Sequence, residues 1–315
     1  MLRRAGSLIL SCAGLAAQPN PIHEASGVAR SGDHLLVVDD SEIGAYFRVP
    51  IPKTGERLIE LNRAQPERVR LPRAALAVDL ESIGILADKR IALLSERLRS
   101  LVTREGIVVE YDSQLSEVAK RGLEGLAIRP LETGDSMVAV LWEGGYPEPP
   151  AIPKLIRRPG AAAASLPIVV VHPVPKNARV GRLRWGSGMT VIELQVPTPE
   201  GAEPHAQRFR APDLAWYKLP EQRWGLLVLL SSQNGVSNPE FRHRWLMRFD
   251  DSGRPIGEPL DLAPYLPEEL RLANWEGLDW YEAGKSVVMV HEAEGRIEPH
   301  AFILDLPESW RFPNP

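Results

Sequence analysis

The chain has 315 residues, a formal net charge of −4 at pH 7 and one cysteine, Cys12. That length can bury a sizeable core without staples, and a lone cysteine excludes an internal disulfide, a cysteine-based zinc site and a CxxC redox pair. No Lys/Arg block interleaves with aromatics, which argues against nucleic acid as a partner, and 29 prolines with 25 glycines imply many short elements joined by turns.

Residues 1–20 carry two arginines, a short apolar run and small residues at Ala16 and Ala17. They read either as a secretory leader, giving a periplasmic or secreted protein, or as a folded strand, SLILS, of a cytoplasmic one. No later segment has the eighteen or so apolar residues of a membrane helix. Residues 21–307 read as a single domain and 308–315 as a tail, with a monomer expected.

From Glu24 onward one pattern recurs: EASGVARSGDHLLVVDD from Glu24, LESIGILADKRIALLSE from Leu80, LEGLAIRPLETGDSMVAVLWE from Leu123, DLAWYKLPEQRWGLLVLLSS from Asp213 and NWEGLDWYEAGKSVVMVHE from Asn274. Each copy has an acid, a short strand, a polar turn, a second strand and a polar pair. Between copies lie further strands such as AYFRVPI, GIVVEYD and AFILDL, and RHRWLMRFDDSGRPIGEPLDL reads as a hairpin. A small antiparallel sheet cannot bury both faces alone, whereas sheets stacked around an axis can. The expected class is therefore an all-β β-propeller. Six blades of about 40 to 50 residues best fit the chain, and five long blades also fit. The wide interval between Glu124 and Asp213 has room for a degenerate copy, and SLILS beside AFILDL would close the ring with strands from both chain ends.

Equivalent positions in such a ring converge. Glu24, Glu81, Glu124, Asp213 and Glu276 would then share a funnel with Asp39, Asp40 and Asn274. Carboxylates held together need a compensating cation or donor, and hard oxygens suit calcium or magnesium. The competing structural role is an interblade clasp in which each acid accepts backbone N–H groups. Gly27, Gly84, Gly125 and Gly277 serve close backbone approach. Asp39-Asp40, Glu96, Glu143 and His291-Glu292 would emerge at one end of the ring. His291 and Glu143 are the candidate catalytic bases. Arg97, Arg99 and Trp142 are the candidate substrate contacts, although packing is the ordinary role of a tryptophan. Walker, HExxH, GxSxG and GxGxxG signatures are absent.

The set EASGVA, DLESIGI, GLEGLAI and NWEGLDW, each followed by a short strand ending in an acid, resembles a group of bacterial β-propellers that includes the esterase-like phytase domain and the SdiA-regulated family. The resemblance covers roughly Ile22 to Leu306. It implies a six-bladed calcium-binding propeller with Glu24, Glu81, Glu124 and Glu276 as the recurring acid, joined by Asp40 as a metal ligand. Two functions follow as expectations: a Ca2+-assisted hydrolase of phosphate or carboxylate esters, or a noncatalytic propeller that binds a small ligand or a protein.

Overall fold

The computed structural model describes residues 21–72, 77–111, 122–144, 166–176, 178, 183–184, 188–197, 209–232, 243–293 and 297–311. The leader-or-strand reading of residues 1–20 lies outside them. Among the described residues helix is confined to single turns at Pro220–Gln222, Glu268–Leu270 and Glu308–Trp310, and no helix is long and apolar enough to cross a membrane.

Among the described residues the strands form five antiparallel blades. Blade I comprises β1 (Ala25–Ser31), β2 (His34–Asp39), β3 (Ala45–Pro50) and β5 (Glu67–Arg70), while β4 (Leu58–Glu60) leaves it for blade V. Blade II runs from β6 (Leu80–Ile85) through β7 (Ile91–Ser95) and β8 (Ser100–Thr103) to β9 (Gly106–Glu110). Blade III runs from β10 (Leu123–Pro130) through β11 (Ser136–Trp142) to β12 (Ile168–Val174). The short β13 (Leu183–Arg184) adds in parallel to the outside of blade II, and β14 (Thr190–Glu193) completes blade III. Blade IV contains β15 (Phe209–Lys218), β16 (Trp224–Ser232), β17 (Arg244–Phe249) and β18 (Leu260–Asp261). Blade V contains β19 (Trp275–Glu282), β20 (Ser286–His291), β21 (His300–Asp305) and the incoming β4.

Six blades are thus corrected to five. The interval after Glu124 holds no sixth sheet among the described residues: PIVVV and MTVIELQV are the third and fourth strands of blade III. The expected place of SLILS beside AFILDL is taken by β4, whose Leu58 and Ile59 pair with Phe302 and Ala301.

Alternation along the strands turns apolar side chains to both faces of each sheet. The result is one apolar core per neighbouring pair of blades. Leu80 and Leu93 of blade II pack with Leu36 and Val38 of blade I, and Val288 and Val290 of blade V pack with Val28 and Val37 of blade I. In the remaining three cores Leu94 is grouped with Trp142, Leu141 with Val228 and Leu230, and Leu229 with Trp275. Each fully buried Leu or Val contributes about 1.5–3 kcal/mol.

Polar clasps join the inner strands across these seams. The Ser26 hydroxyl donates to Leu80 O at 2.6 Å, and Ala87 N–H donates to the Ser136 hydroxyl at 2.9 Å. Trp216 Nε1 donates to Ala127 O at 3.2 Å and Trp280 Nε1 to Trp216 O at 2.6 Å, while Arg30 N–H donates to Asp279 Oδ2 at 2.8 Å. Backbones also approach closely around the axis. A Cβ on Gly27 would lie 2.5 Å from Ser82 Cα, and one on Gly277 would lie 2.9 Å from Gly27 Cα. Those two positions admit nothing larger than glycine without movement of the strands. The beginnings of the inner strands lie on one side of these contacts, and their later residues line a cavity on the other.

Candidate functional site

Each inner strand begins with a β-bulge opposite its partner, and the bulge decides which residues are equivalent. The extra residue is Ser26 between Ala25 and Gly27, Glu81 between Leu80 and Ser82, Glu124 between Leu123 and Gly125, and Glu276 between Trp275 and Gly277. In blade IV two residues, Ala211 and Pro212, fill the gap between Arg210 and Asp213. Pro212 has no N–H to give to a ladder, which suits an irregular position. The recurring acid is therefore Glu81, Glu124 and Glu276. Its blade I counterpart is Ser26 rather than Glu24, and Asp213 takes the place of Gly27, Ser82, Gly125 and Gly277.

A second tier follows from the backbone. Asp40 N–H bonds Glu24 O, Glu96 N–H bonds Asp79 O, Glu143 N–H bonds Gly122 O and Glu292 N–H bonds Asn274 O. Asp40, Glu96, Glu143 and Glu292 are thus equivalent ends of second strands, at the same mouth as the bulge acids. The Glu96 carboxylate lies where a Cβ on Gly122 would sit. Glu24, Asp39 and Asp40 bring carboxylate oxygens within 4.8 Å of one another. Asp39 is buried and largely engaged locally, accepting from the N–H groups of His23, Glu24 and Ser41.

Blade IV contributes the opposite charge. Arg210, 6% exposed, donates from Nη1 to Glu143 Oε2 at 3.2 Å and from Nη2 to Glu276 Oε1 at 2.8 Å and Asn274 Oδ1 at 2.5 Å. Asn274 Nδ2 in turn donates to Glu276 Oε1 and to Glu292 Oε1. Burial opposes the Arg210 charge, but Glu276, Glu143 and Glu124 hold its guanidinium above the ordinary value. One arginine thus faces a bowl of carboxyls, here called the acid cup.

The carboxyls respond as crowded acids must. Burial pushes Asp40 up to about 8, helped by its hydrogen bond with Glu24 and by repulsion from Glu24, Asp39 and Glu276. Burial raises Glu81 well above the carboxylate range, with repulsion from Glu276, Glu96 and Asp40 added and a hydrogen bond with Glu124 opposing. Glu124 is raised by burial and then by Glu143, Glu81 and Glu276, against Arg210. All three bind a proton more tightly folded than unfolded. This stabilisation is complete below about pH 4, the unfolded value, and is lost as pH rises through the folded values, about 8 for Asp40. Melting in chelator is expected to fall steadily from about pH 5 to about pH 8.5, and Asp40→Asn should flatten the fall. A profile that is level or rising over that window in the unsubstituted chain contradicts the assignment.

The sequence matches no known protein-family model and no curated protein. Solved structures with a similar outline include a gluconolactonase from Xanthomonas campestris, 12% identical over 91% of this chain and 87% of that one with a TM-score of 0.37. A GH43 endo-arabinanase from Bacillus licheniformis is 10% identical over 93% and 97% with a TM-score of 0.45, and an endo-arabinase from Bacteroides thetaiotaomicron is 8% identical over 92% and 97% with a TM-score of 0.45. The phytase and SdiA-regulated types find no support among these matches.

Of the residues singled out from the sequence, Glu24, Asp40, Glu81, Glu124, Glu143 and Glu276 meet at the acid cup. His291 does not. It is fully buried within blade V, edge-on to Trp275 and stacked on His300, with Nδ1 bonded to Glu292 O and Nε2 to His300 Nδ1. Burial lowers it to about 4, so the ring is neutral at ordinary pH. Trp142, 1% exposed, is part of the core between blades II and III instead of lining a pocket. Arg97 and Arg99 lie in the turn between β7 and β8 on the cup side. The exposed Arg97 stands 3.8 Å from Asp79, and Arg99 adopts a φ of 48° with Nε buried and unbonded among the described residues. Arg210 carries no sequence signal, since it lies in the one copy that breaks the Glu-small pattern.

Proposed function

We propose that the acid cup holds a hard divalent cation, calcium first, and that the chain hydrolyses a neutral carboxylate ester at that mouth. The observation behind this reading is the gathering of Asp40, Glu81, Glu124 and Glu276 at one mouth beside Arg210, where burial first and repulsion second raise the proton affinity of Asp40, Glu81 and Glu124. Such a group is stabilised either by protons or by a cation. Glu24, Asp40, Glu81 and Glu276 offer oxygen donors alone, the set that suits calcium or magnesium, which leaves Glu124 for proton transfer. When bound, the cation would polarise the ester carbonyl and acidify a water.

The rest of the chemistry belongs to the chain. A carboxyl with raised proton affinity is a stronger base when ionised and a competent acid when not. Glu124 is that group, and Glu143 beside it is oriented by Arg210 at 3.2 Å. Their side chains share the task of taking the proton of water and returning it to the leaving alkoxide. Phosphate esters fit less well. Arg210 is already engaged by Glu143, Glu276 and Asn274, and a dianion entering a cup rich in carboxylates would meet repulsion that one divalent cation does not cancel.

The test combines melting and turnover. Calcium well above its Kd should raise the melting temperature by about 5 °C or more over chelator-treated protein. p-Nitrophenyl acetate should be hydrolysed in calcium and p-nitrophenyl phosphate should not, and Glu124→Gln should lower esterase turnover about 100-fold. Calcium-dependent melting without turnover leaves a noncatalytic binding scaffold. Loss of both effects removes the cation and the enzyme together.

A further inference from the structure

Beyond the tight ring, at the ends of the inner strands, lies a cavity of about 270 Å³. Its lining begins at Leu126, two residues along β10 from Glu124, and reaches Arg129, about 16 Å of extended chain from Glu124 at about 3.3 Å per residue. Ile83, Ile85 and Leu126 give it apolar walls, and Trp216, Trp224 and Trp280 give it aromatic ones. Its charge is opposite to that of the cup. Arg30, Arg129 and Lys218 line it, against one acid, Asp279, whose carboxylate accepts the N–H groups of Arg30 and Trp280.

Arg129 and Lys218 differ from the third of these cations, Arg30. Arg30 is engaged, donating to Tyr281 O and Gly32 O and lying over the Tyr281 ring. Arg129 is stacked, 4.5 Å from the centroid of Trp224 and 5.2 Å from that of Trp216, yet its guanidinium has no hydrogen bond among the described residues and its Nε is buried without one. Lys218 has no ion pair among them either. Stacking between indoles fixes the plane of a guanidinium while leaving its N–H edge free, the preorganised form in which arginine takes a carboxylate in two parallel bonds. Apolar walls, flat aromatic faces and a few convergent polar groups are the ordinary make-up of a small-molecule pocket.

We infer that this cavity is a second binding site, for a small organic monoanion with a flat apolar body and a carboxylate that meets Arg129 and Lys218. The body lies along Ile83, Ile85 and Leu126 and against the indoles, and the carboxylate accepts from the free edge of Arg129.

The probe is 2-naphthoate, titrated against the full chain by quenching of indole fluorescence and by calorimetry, with 2-naphthalenemethanol as its uncharged counterpart. The carboxylate is expected to bind about tenfold or more tightly than the alcohol, the effect of a charge-assisted hydrogen bond. Arg129→Met should reduce that preference severalfold, while Glu276→Gln, in the cup, should leave it unchanged. Lys218→Gln gives a second, milder reduction that does not depend on the stacked side chain. Equal binding of the two probes, binding of neither, or a preference for the carboxylate that survives both cavity substitutions overturns the inference.

Discussion

Arg210→Met is expected to destabilise the fold by about 3–5 kcal/mol, the usual cost of removing one partner from a buried ion network. Arg210 is 6% exposed, and its guanidinium bonds Glu143, Glu276 and Asn274, on blades III and V, from its own blade IV. Methionine fills much of the volume, so the loss is mainly of charge. Glu143 and Glu276 would face Glu124 and Glu81 with nothing between them, and their escape is to take up protons. The loss should therefore be larger at about pH 8 than at about pH 5, and part of it should return with saturating calcium. Adding Glu276→Gln to the variant should recover stability, a sign that separates electrostatic strain from poor packing. Chemical denaturation at the two pH values measures this. A loss under about 1 kcal/mol, or one independent of pH and of Glu276, would show that the carboxyls balance without Arg210.

The hairpin of every blade was legible in the sequence because alternation and turn residues are local. Each quoted copy corresponds to the first two strands of one blade. What was not legible is non-local. Leu58–Glu60 is a three-residue strand whose own sequence does not say that it pairs with β21 rather than with β3 beside it in the chain. Lengths alone favoured six blades, since the long blade III, with its strands spread from Leu123 to Glu193, counts as more than one unit on an average period. The same limit explains the site. Glu81, Glu124 and Glu276 share a signature because each is a bulge residue followed by a small one. Glu24 precedes Ala25 by one position and joins them only through its spatial closeness to Asp40. Arg210 was unreadable, as its partners Asn274 and Glu276 are 64 and 66 positions away. His291 looked like a base because it stands beside Glu292, but successive side chains of a strand point to opposite sides, and its side is the core.

Asp213→Ala should be the other severe substitution, with a loss of about 3–5 kcal/mol, and the reason is not charge repulsion but unpaired backbone. The Asp213 carboxylate accepts Leu126 N–H at 3.1 Å, Leu278 N–H at 2.7 Å and its own Leu214 N–H at 2.9 Å. It thereby ties blade IV to blades III and V at the level where other blades place a glycine or serine. Burial pushes its carboxyl up against the pull of those three donors. An alanine leaves buried N–H groups without acceptors at about 1–3 kcal/mol each. Asparagine keeps one acceptor oxygen and turns an amide NH2 towards another N–H, so Asp213→Asn should lose less than alanine but still measurably. Neither variant should change calcium affinity more than about twofold in the folded protein, whereas a cation ligand would cost about tenfold or more on removal. Calorimetric titration of Asp213→Asn with calcium, beside its denaturation curve, distinguishes the two roles. Weakened calcium binding with little loss of stability would return Asp213 to the acid cup, and the clasp between the inner strands would have to be found elsewhere.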